Sequence, residues 1–121
     1  MKKTILIVDD FENTRWIIEF SLKKLNAEIL KAENGVEALK FFDGRKIDLV
    51  ITDYNMPEMD GAELVRRVRE MPNYAFIPML MLTTETSQKK KDLAKEVKVT
   101  GWIQKPFKQE MFLKIVEKCL K

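Results

Sequence analysis

The stretch Thr4-Ile5-Leu6-Ile7-Val8-Asp9-Asp10 decides the fold. It runs apolar or β-branched for five residues without the polar alternation of a half-exposed strand. Such a run reads as a strand buried on both faces, the habit of parallel sheets. Similar runs recur at Leu49–Thr52, Pro78–Thr83 and, shorter, Gly101–Gln104, while the more polar Glu28–Ala32 fits an edge strand. Helical stripes lie between them: Ile17, Ile18, Leu22 and Leu25; Leu64, Val65, Val68 and Met71; Phe112, Ile115, Val116 and Cys119. Shorter helices are predicted over Val36–Phe42 and Gln88–Val97, the latter turning Leu93, Ala94 and Val97 inward. The order is βα five times over. It predicts an α/β three-layer sandwich with right-handed crossovers. Asn34-Gly35, Asp43-Gly44 and Asp60-Gly61 each adjoin a helical stripe, so they read as loop and cap positions and not as hairpins.

With 121 residues, the chain is expected to form one domain over 1–121. A composition 45% hydrophobic and 34% charged is that of an ordinary globular chain. Histidine is absent, and this count excludes most. It removes Ser-His-Asp and Cys-His nucleophiles, His-ligated zinc and any phosphohistidine. The single Cys119 removes an internal disulfide, a CxxC pair and an all-cysteine zinc site. Any chemistry must run on carboxylates, hydroxyls, lysines and a hard metal. No signal-peptide core follows Met1-Lys2-Lys3, and no apolar run nears the roughly 20 residues of a membrane span. A cytoplasmic location is expected, with no membrane partner. The net charge of +3 is uneven: residues 86–121 hold ten lysines against four acidic residues, hence +6, and the rest carries −3.

In an open parallel sheet, sites form beyond the carboxyl ends of the strands. After the first strand stand Asp9 and Asp10; after the third, Asp53, Tyr54, Asn55, Met56 and Pro57. The fourth leads to Thr83, Thr84 and Glu85, and the fifth to Lys105 and Pro106. Three carboxylates brought together repel, and a bound cation makes the cluster tolerable. All-oxygen ligation suits Mg²⁺ or Mn²⁺. A carboxylate beside such a dication and a lysine is placed to attack a phosphoryl group, with Thr83 able to hydrogen-bond one of its oxygens. Each element alone has a plain structural role: Asp9-Asp10 as a helix cap, Asp53 as a turn residue, Thr83-Thr84 as a cap, Lys105 as a solvated lysine. Their recurrence at four of five strand ends favours the functional reading.

The segments ILIVDD (5–10), VITDYNMPEMDG (50–61), MLMLTTE (79–85) and GWIQKPF (101–107), in this order, resemble the receiver domains of two-component response regulators. The likeness spans essentially the whole chain and is greatest to stand-alone chemotaxis receivers of the CheY type. It implies a flavodoxin-like, CheY-like sheet of five parallel strands in order 2-1-3-4-5 with five helices. It implies Asp53 as phosphoacceptor, Thr83 as switch hydroxyl and Lys105 as the lysine that contacts the phosphoryl group, with a cis Lys105–Pro106 bond. Mg²⁺ would be held by Asp10 directly, by Asp9 largely through water, by Asp53 and by the backbone carbonyl of Asn55. Asn55 and Glu85 would tune dephosphorylation toward a short-lived phosphorylated state. Trp102 stands at the aromatic switch position, where the family usually has Tyr or Phe. Lys98-Val99 replace a common Gly-Ala, so that loop is expected to be built differently.

The implied function is a switch that catalyses only its own phosphorylation and dephosphorylation. The donor would be a sensor histidine kinase or a histidine phosphotransfer protein. A downstream protein would read the face of the fourth helix, fifth strand and fifth helix, where Lys89–Lys91, Lys95, Lys108 and Lys114 gather, in chemotaxis or another pathway. The alternative is an unphosphorylated adaptor of the same fold. An aspartyl-phosphate phosphatase would need DxDxT, and Asp53-Tyr54-Asn55 lacks its second aspartate. Glycines at 35, 44, 61 and 101 make no phosphate-cradling loop for a flavin, and the lysine excess alone does not make nucleic acid an expected partner.

Overall fold

A computed structural model describes residues 2–121. Five strands, β1 (Thr4–Val8), β2 (Glu28–Ala32), β3 (Leu49–Thr52), β4 (Met79–Thr83) and β5 (Gly101–Gln104), form one parallel sheet in the order β2-β1-β3-β4-β5. The three inner strands are buried almost throughout, as their unbroken apolar runs require. Both outer strands, β2 and β5, carry exposed polar residues. Strand β4 starts one residue later than the apolar run suggests: Pro78 has no N–H to donate and contributes only its carbonyl, which accepts from Val50 N–H at 3.0 Å.

Five helices cover the sheet: α1 (Glu12–Ser21), α2 (Gly35–Leu39), α3 (Gly61–Arg69), α4 (Gln88–Glu96) and α5 (Gln109–Cys119). Strand alternation divides the core in two. Leu6, Val50, Met79 and Met81 face Ala38 of α2, Leu64, Val65 and Val68 of α3 and Ala94 of α4. Ile5, Ile7, Ile51, Leu80 and Leu82 face Ile18 of α1 and Phe112 and Val116 of α5. Asn34, Asp60 and Ser87 cap α2, α3 and α4 through their side-chain oxygens, satisfying first-turn N–H groups. Two of the three Asx-Gly pairs therefore start helices, and Gly44 (φ 106°) makes a turn.

Several expectations need correction. Ile17 is half exposed, because α1 buries only the line of Ile18, Ser21 and Leu22 against the sheet. Leu93 is 40% exposed, and Ala94 takes the core position on α4. Helix α2 ends at Leu39; the chain continues to Phe42 through tighter three-residue-spaced bonds from Lys40, Phe41 and Phe42. The loop after α4 keeps the geometry glycine would supply. Lys98 adopts φ 70°, while Val99 N–H donates to Ala94 C=O and Lys98 N–H to Lys95 C=O, a complete Schellman closure. Arg69 donates to the Lys98 carbonyl at 3.1 Å and holds the strained residue in place.

Gly61 lets α3 start directly against β3. Its N–H donates to Tyr54 C=O at 2.7 Å, and a Cβ there would overlap the Asp53 carbonyl oxygen and lie 2.8 Å from Met81 Sδ. Gly61→Ala is expected to cost about 1–3 kcal/mol in urea denaturation, because the obstacle is backbone and cannot rotate aside. Lys98→Gly should instead stabilise by about 1 kcal/mol and raise Tm by about 4 °C, since glycine enters the left-handed region without penalty. An unchanged Tm would mean that this turn is not strained.

Candidate functional site

Asp9, Asp10, Asp53, Thr83, Glu85 and Lys105 sit at, or one or two positions past, the carboxyl end of their strands, Asn55 stands three past β3 and Trp102 lies within β5; one further backbone bond anchors three of them. Asp9 N–H donates to Ala32 C=O beyond β2, Asp53 N–H to Val8 C=O at 2.9 Å, and Lys105 N–H to Thr83 C=O at 2.8 Å. The sheet order makes β1 and β3 neighbours although β2 lies between them in sequence. Consecutive connections thus leave the sheet in opposite directions, and a crevice opens at that point.

Into it project three carboxylates. Asp9, Asp10 and Asp53 each offer an oxygen within 4.8 Å of the others. Lys105 Nζ donates to Asp9 Oδ2 at 2.9 Å and to Asp53 Oδ2 at 3.3 Å. The cation therefore bridges two buried carboxylates that belong to different strands. Asp9 Oδ1 accepts from Phe11 N–H, and Asp53 Oδ1 from Tyr54 N–H at 2.6 Å. Burial is the largest influence on Asp9 and raises its carboxyl above the ordinary range, against the lowering pull of Phe11 N–H and Lys105. The expected caps do not form, since Phe11 occupies the cap position of α1 and Ser87, not Thr83 or Thr84, caps α4; Lys105 is not a solvated lysine, its side chain being mostly buried.

The cluster fits a small hard cation. Asp10 Oδ1 is buried and has no hydrogen-bond partner, which is costly for a carboxylate oxygen unless an ion or water completes it. The donor set is all oxygen, as Mg²⁺ or Mn²⁺ prefers.

Thr83 is fully buried, and its hydroxyl accepts from Glu85 N–H. Strand alternation places it on the same sheet face as Met81, whose register partner on β5 is Trp102. Trp102 is partly buried. Its ring lies tilted against Tyr54, centroids 5.9 Å apart, and Lys91 Nζ stands 5.9 Å above it. Its indole Nε1 is buried without an acceptor. The Lys105–Pro106 peptide is cis.

Asn55 and Glu85, two residues past Asp53 and Thr83, meet across the gap between β3 and β4. Asn55 Nδ2 donates to Glu85 Oε1 at 2.8 Å. With Asn55, Ser87 N–H and Lys90 as donors, the Glu85 carboxyl is lowered to about 2. Lys90 was legible only as part of a surface lysine run. It instead turns back to the site, reaching Asn55 Oδ1 and Glu85 Oε1, each at 3.0 Å. A signal existed: a lysine in the first turn of a helix opposes the macrodipole and calls for a local anion. Arg15 on α1 also reaches the site, its guanidinium donating to the Asp9 carbonyl.

Comparison with known proteins agrees with this geometry. The response regulator receiver domain family matches residues 5–117. Chemotaxis protein CheY1 of Helicobacter pylori is 38% identical over 118 residues, 96% of this chain and 95% of its own. Chemotaxis protein CheY of Pseudomonas aeruginosa is 36% identical over 115 residues, 94% and 93% of the two chains. The solved structure of CheY4 from Vibrio cholerae, 41% identical, superposes with a TM-score of 0.91 over 99% of this chain and 100% of that one. The receiver domain of sensor histidine kinase PA1611 from P. aeruginosa shares the fold at 22% identity (TM-score 0.89, 99% and 98% covered) and has a magnesium ion coordinated in its active site cleft. A match over nearly every residue, shared with relatives of almost the same length, makes this chain a member of the response regulator receiver domain family.

Proposed function

We propose that this protein is a phosphorylation-activated signalling switch that receives its phosphoryl group on Asp53. The observation that carries this reading is the Lys105 ammonium set between the Asp9 and Asp53 carboxylates, beside a buried Asp10 oxygen that lacks a partner. Asp53 Oδ2 is the nucleophile. It attacks phosphorus as the bond to the donor's imidazole nitrogen breaks, and Lys105 shifts its pairing to the incoming oxygens. The donor must be another protein, a sensor histidine kinase or a histidine phosphotransfer protein, because this chain contains no histidine. Asp9, Asp10, Asp53 and the backbone carbonyl of Asn55 are the groups that would hold Mg²⁺, with Mn²⁺ as a substitute. When bound, the ion supplies positive charge to the phosphoryl oxygens.

Conversion of the Asp53 carboxylate to an acyl phosphate adds about one net negative charge and carries it outward on three phosphoryl oxygens, which draw the Thr83 hydroxyl and Lys105 toward them. Thr83 and Trp102 share a sheet face, so movement of the first frees space for the second. The buried, unpartnered indole N–H penalises the present rotamer and favours an alternative that finds an acceptor. The readout would be the face of α4, β5 and α5, where Lys89–Lys91, Lys95, Lys108 and Lys114 suit an acidic or amphipathic partner. Residues 1–121 then act as one receiver that catalyses only its own phosphorylation and dephosphorylation. Chemotaxis is the pathway its relatives' names suggest. Among the described residues no helix is long and apolar enough to cross a membrane, and a cytoplasmic site of action suits the reading.

Asp53→Asn is expected to abolish uptake of label from acetyl phosphate while leaving the fold intact by circular dichroism. Labelling at the wild-type rate would move the acceptor elsewhere. Titration with Mg²⁺ separates the switch from an unphosphorylated adaptor, since only the switch requires a tryptophan-fluorescence or amide-resonance response.

The raised Asp9 carboxyl adds a pH dependence. Its proton is held more tightly in the metal-free fold than in the unfolded chain, where the ordinary value is 3.8. Metal-free protein therefore gains stability from this group as the pH falls through the folded pKa toward that value. Mg²⁺ must displace the same proton. Its apparent affinity should weaken as the pH is lowered through the folded pKa of Asp9, read by fluorescence titration. An affinity independent of pH down to acid unfolding would remove Asp9 from the cation site.

A further inference from the structure

Asn55 and Glu85 each stand two residues past the acceptor and the switch hydroxyl, and the Glu85 carboxylate has no capacity left over. A carboxylate accepts about four hydrogen bonds. Glu85 receives donors on both oxygens: Asn55 Nδ2 at 2.8 Å and Lys90 Nζ at 3.0 Å on Oε1, Thr86 N–H at 3.2 Å and Ser87 N–H at 2.9 Å on Oε2. The Asn55 amide is likewise engaged at both ends, giving to Glu85 and receiving from Lys90 Nζ at 3.0 Å. Three of these contacts depend on side chains from three different segments, and Lys90 is the group that touches both others. It also stands 5.4 Å over the Tyr54 ring, which fixes its direction.

We propose that Lys90 is a positioning residue that lengthens the life of the phosphorylated state by clamping Asn55 to Glu85, so that the Glu85 carboxylate orients no water toward the phosphoryl group. The inference rests on Asp53 as acceptor and deepens the tuning role of the Asn55–Glu85 pair. The clamp spans the mouth between β3 and β4, the strands that lead to Asp53 and Thr83. Releasing Lys90 frees one lone-pair position on Glu85 Oε1. That oxygen then accepts a water hydrogen and aims the water's oxygen at phosphorus. The water adds as the bond from Asp53 to phosphorus breaks, giving back the carboxylate and inorganic phosphate. No other reactant is needed.

Lys90→Met keeps a helix-compatible chain of similar length at a site whose side chain is already 40% exposed, so the fold should survive. After labelling with acetyl phosphate and removal of excess, Lys90→Met should lose its phosphoryl group about 3- to 10-fold faster than wild type, the worth of one hydrogen bond to a positioned water. Lys90→Arg should restore most of the lifetime. Lys90→Met combined with Glu85→Gln should decay no faster than Glu85→Gln alone, because Lys90 acts through that carboxylate. In unphosphorylated protein the Asn55 side-chain amide resonances should move in Lys90→Met and return in Lys90→Arg. Decay unchanged or slowed by Lys90→Met, additive effects in the double variant, or unmoved resonances would each overturn the clamp. Wild-type protein that takes no label would overturn the acceptor assignment and this inference with it, whereas labelled protein with Lys90-independent decay overturns this inference alone.

Discussion

The contact between Lys105 and the carboxylates of Asp9 and Asp53 is what the rest of the structure is arranged around. Two buried carboxylates and a third beside them would repel at such short range. The lysine side chain is itself only 16% exposed, and it arrives from a strand-end loop two positions across the sheet from Asp53. Such a pairing is costly to assemble, because every member gives up water, and removing one partner strands an unpaired buried charge. That asymmetry keeps the crevice closed on itself until a cation or phosphoryl group competes for the same charges. The backbone bonds that extend the ladder past β1, β3 and β5 hold the carboxylates and the ammonium in register for that exchange.

From this centre two mechanical routes lead outward. One runs within the sheet, from Thr83 on β4 to Trp102 on β5, because alternate residues of paired strands share a face. The other runs over the rim, from Asn55 and Glu85 through Lys90 into the first turn of α4. Both reach the same lysine-bearing helix, one through an aromatic ring and one through an ion pair. A charge placed on Asp53 therefore meets two independent connections to α4, and the stacking of Lys91 on Trp102 links them at the surface.

Much of this was legible in advance. Strand existence followed from uninterrupted apolar runs, which bury both faces and tolerate no slip. Asp9, Asp10, Asp53, Thr83 and Lys105 stood out because each follows such a run. Less visible was anything that depends on which face a helix turns to the sheet. Ile17 and Leu93 fit an apolar period yet stand exposed, because α1 and α4 present narrower stripes, centred on Ile18 and Leu22 and on Ala94. Lys98 showed the reverse. A residue that disfavours the left-handed region adopts it anyway, because the Schellman bonds and Arg69 outweigh about 1 kcal/mol of backbone penalty.

By itself the sequence determined the class of chemistry and the architecture. A chain without histidine, with one cysteine and with carboxylates at its strand ends is confined at those positions to the chemistry of carboxylates, hydroxyls, lysines and a hard cation. Periodicity settled the alternation of strand and helix, because burial on two faces and burial on one stripe leave different patterns. Only the tertiary structure decided which charges meet. Lys105 finds Asp9 across 96 positions of chain, Asn55 finds Glu85 across 30, and Lys90 turns back to the site while Lys89 beside it stays exposed. Apart from the first-turn position of Lys90, those pairings have no local signature, since a long flexible side chain takes its direction from the fields and packing around it, and these exist only once the strands have come together.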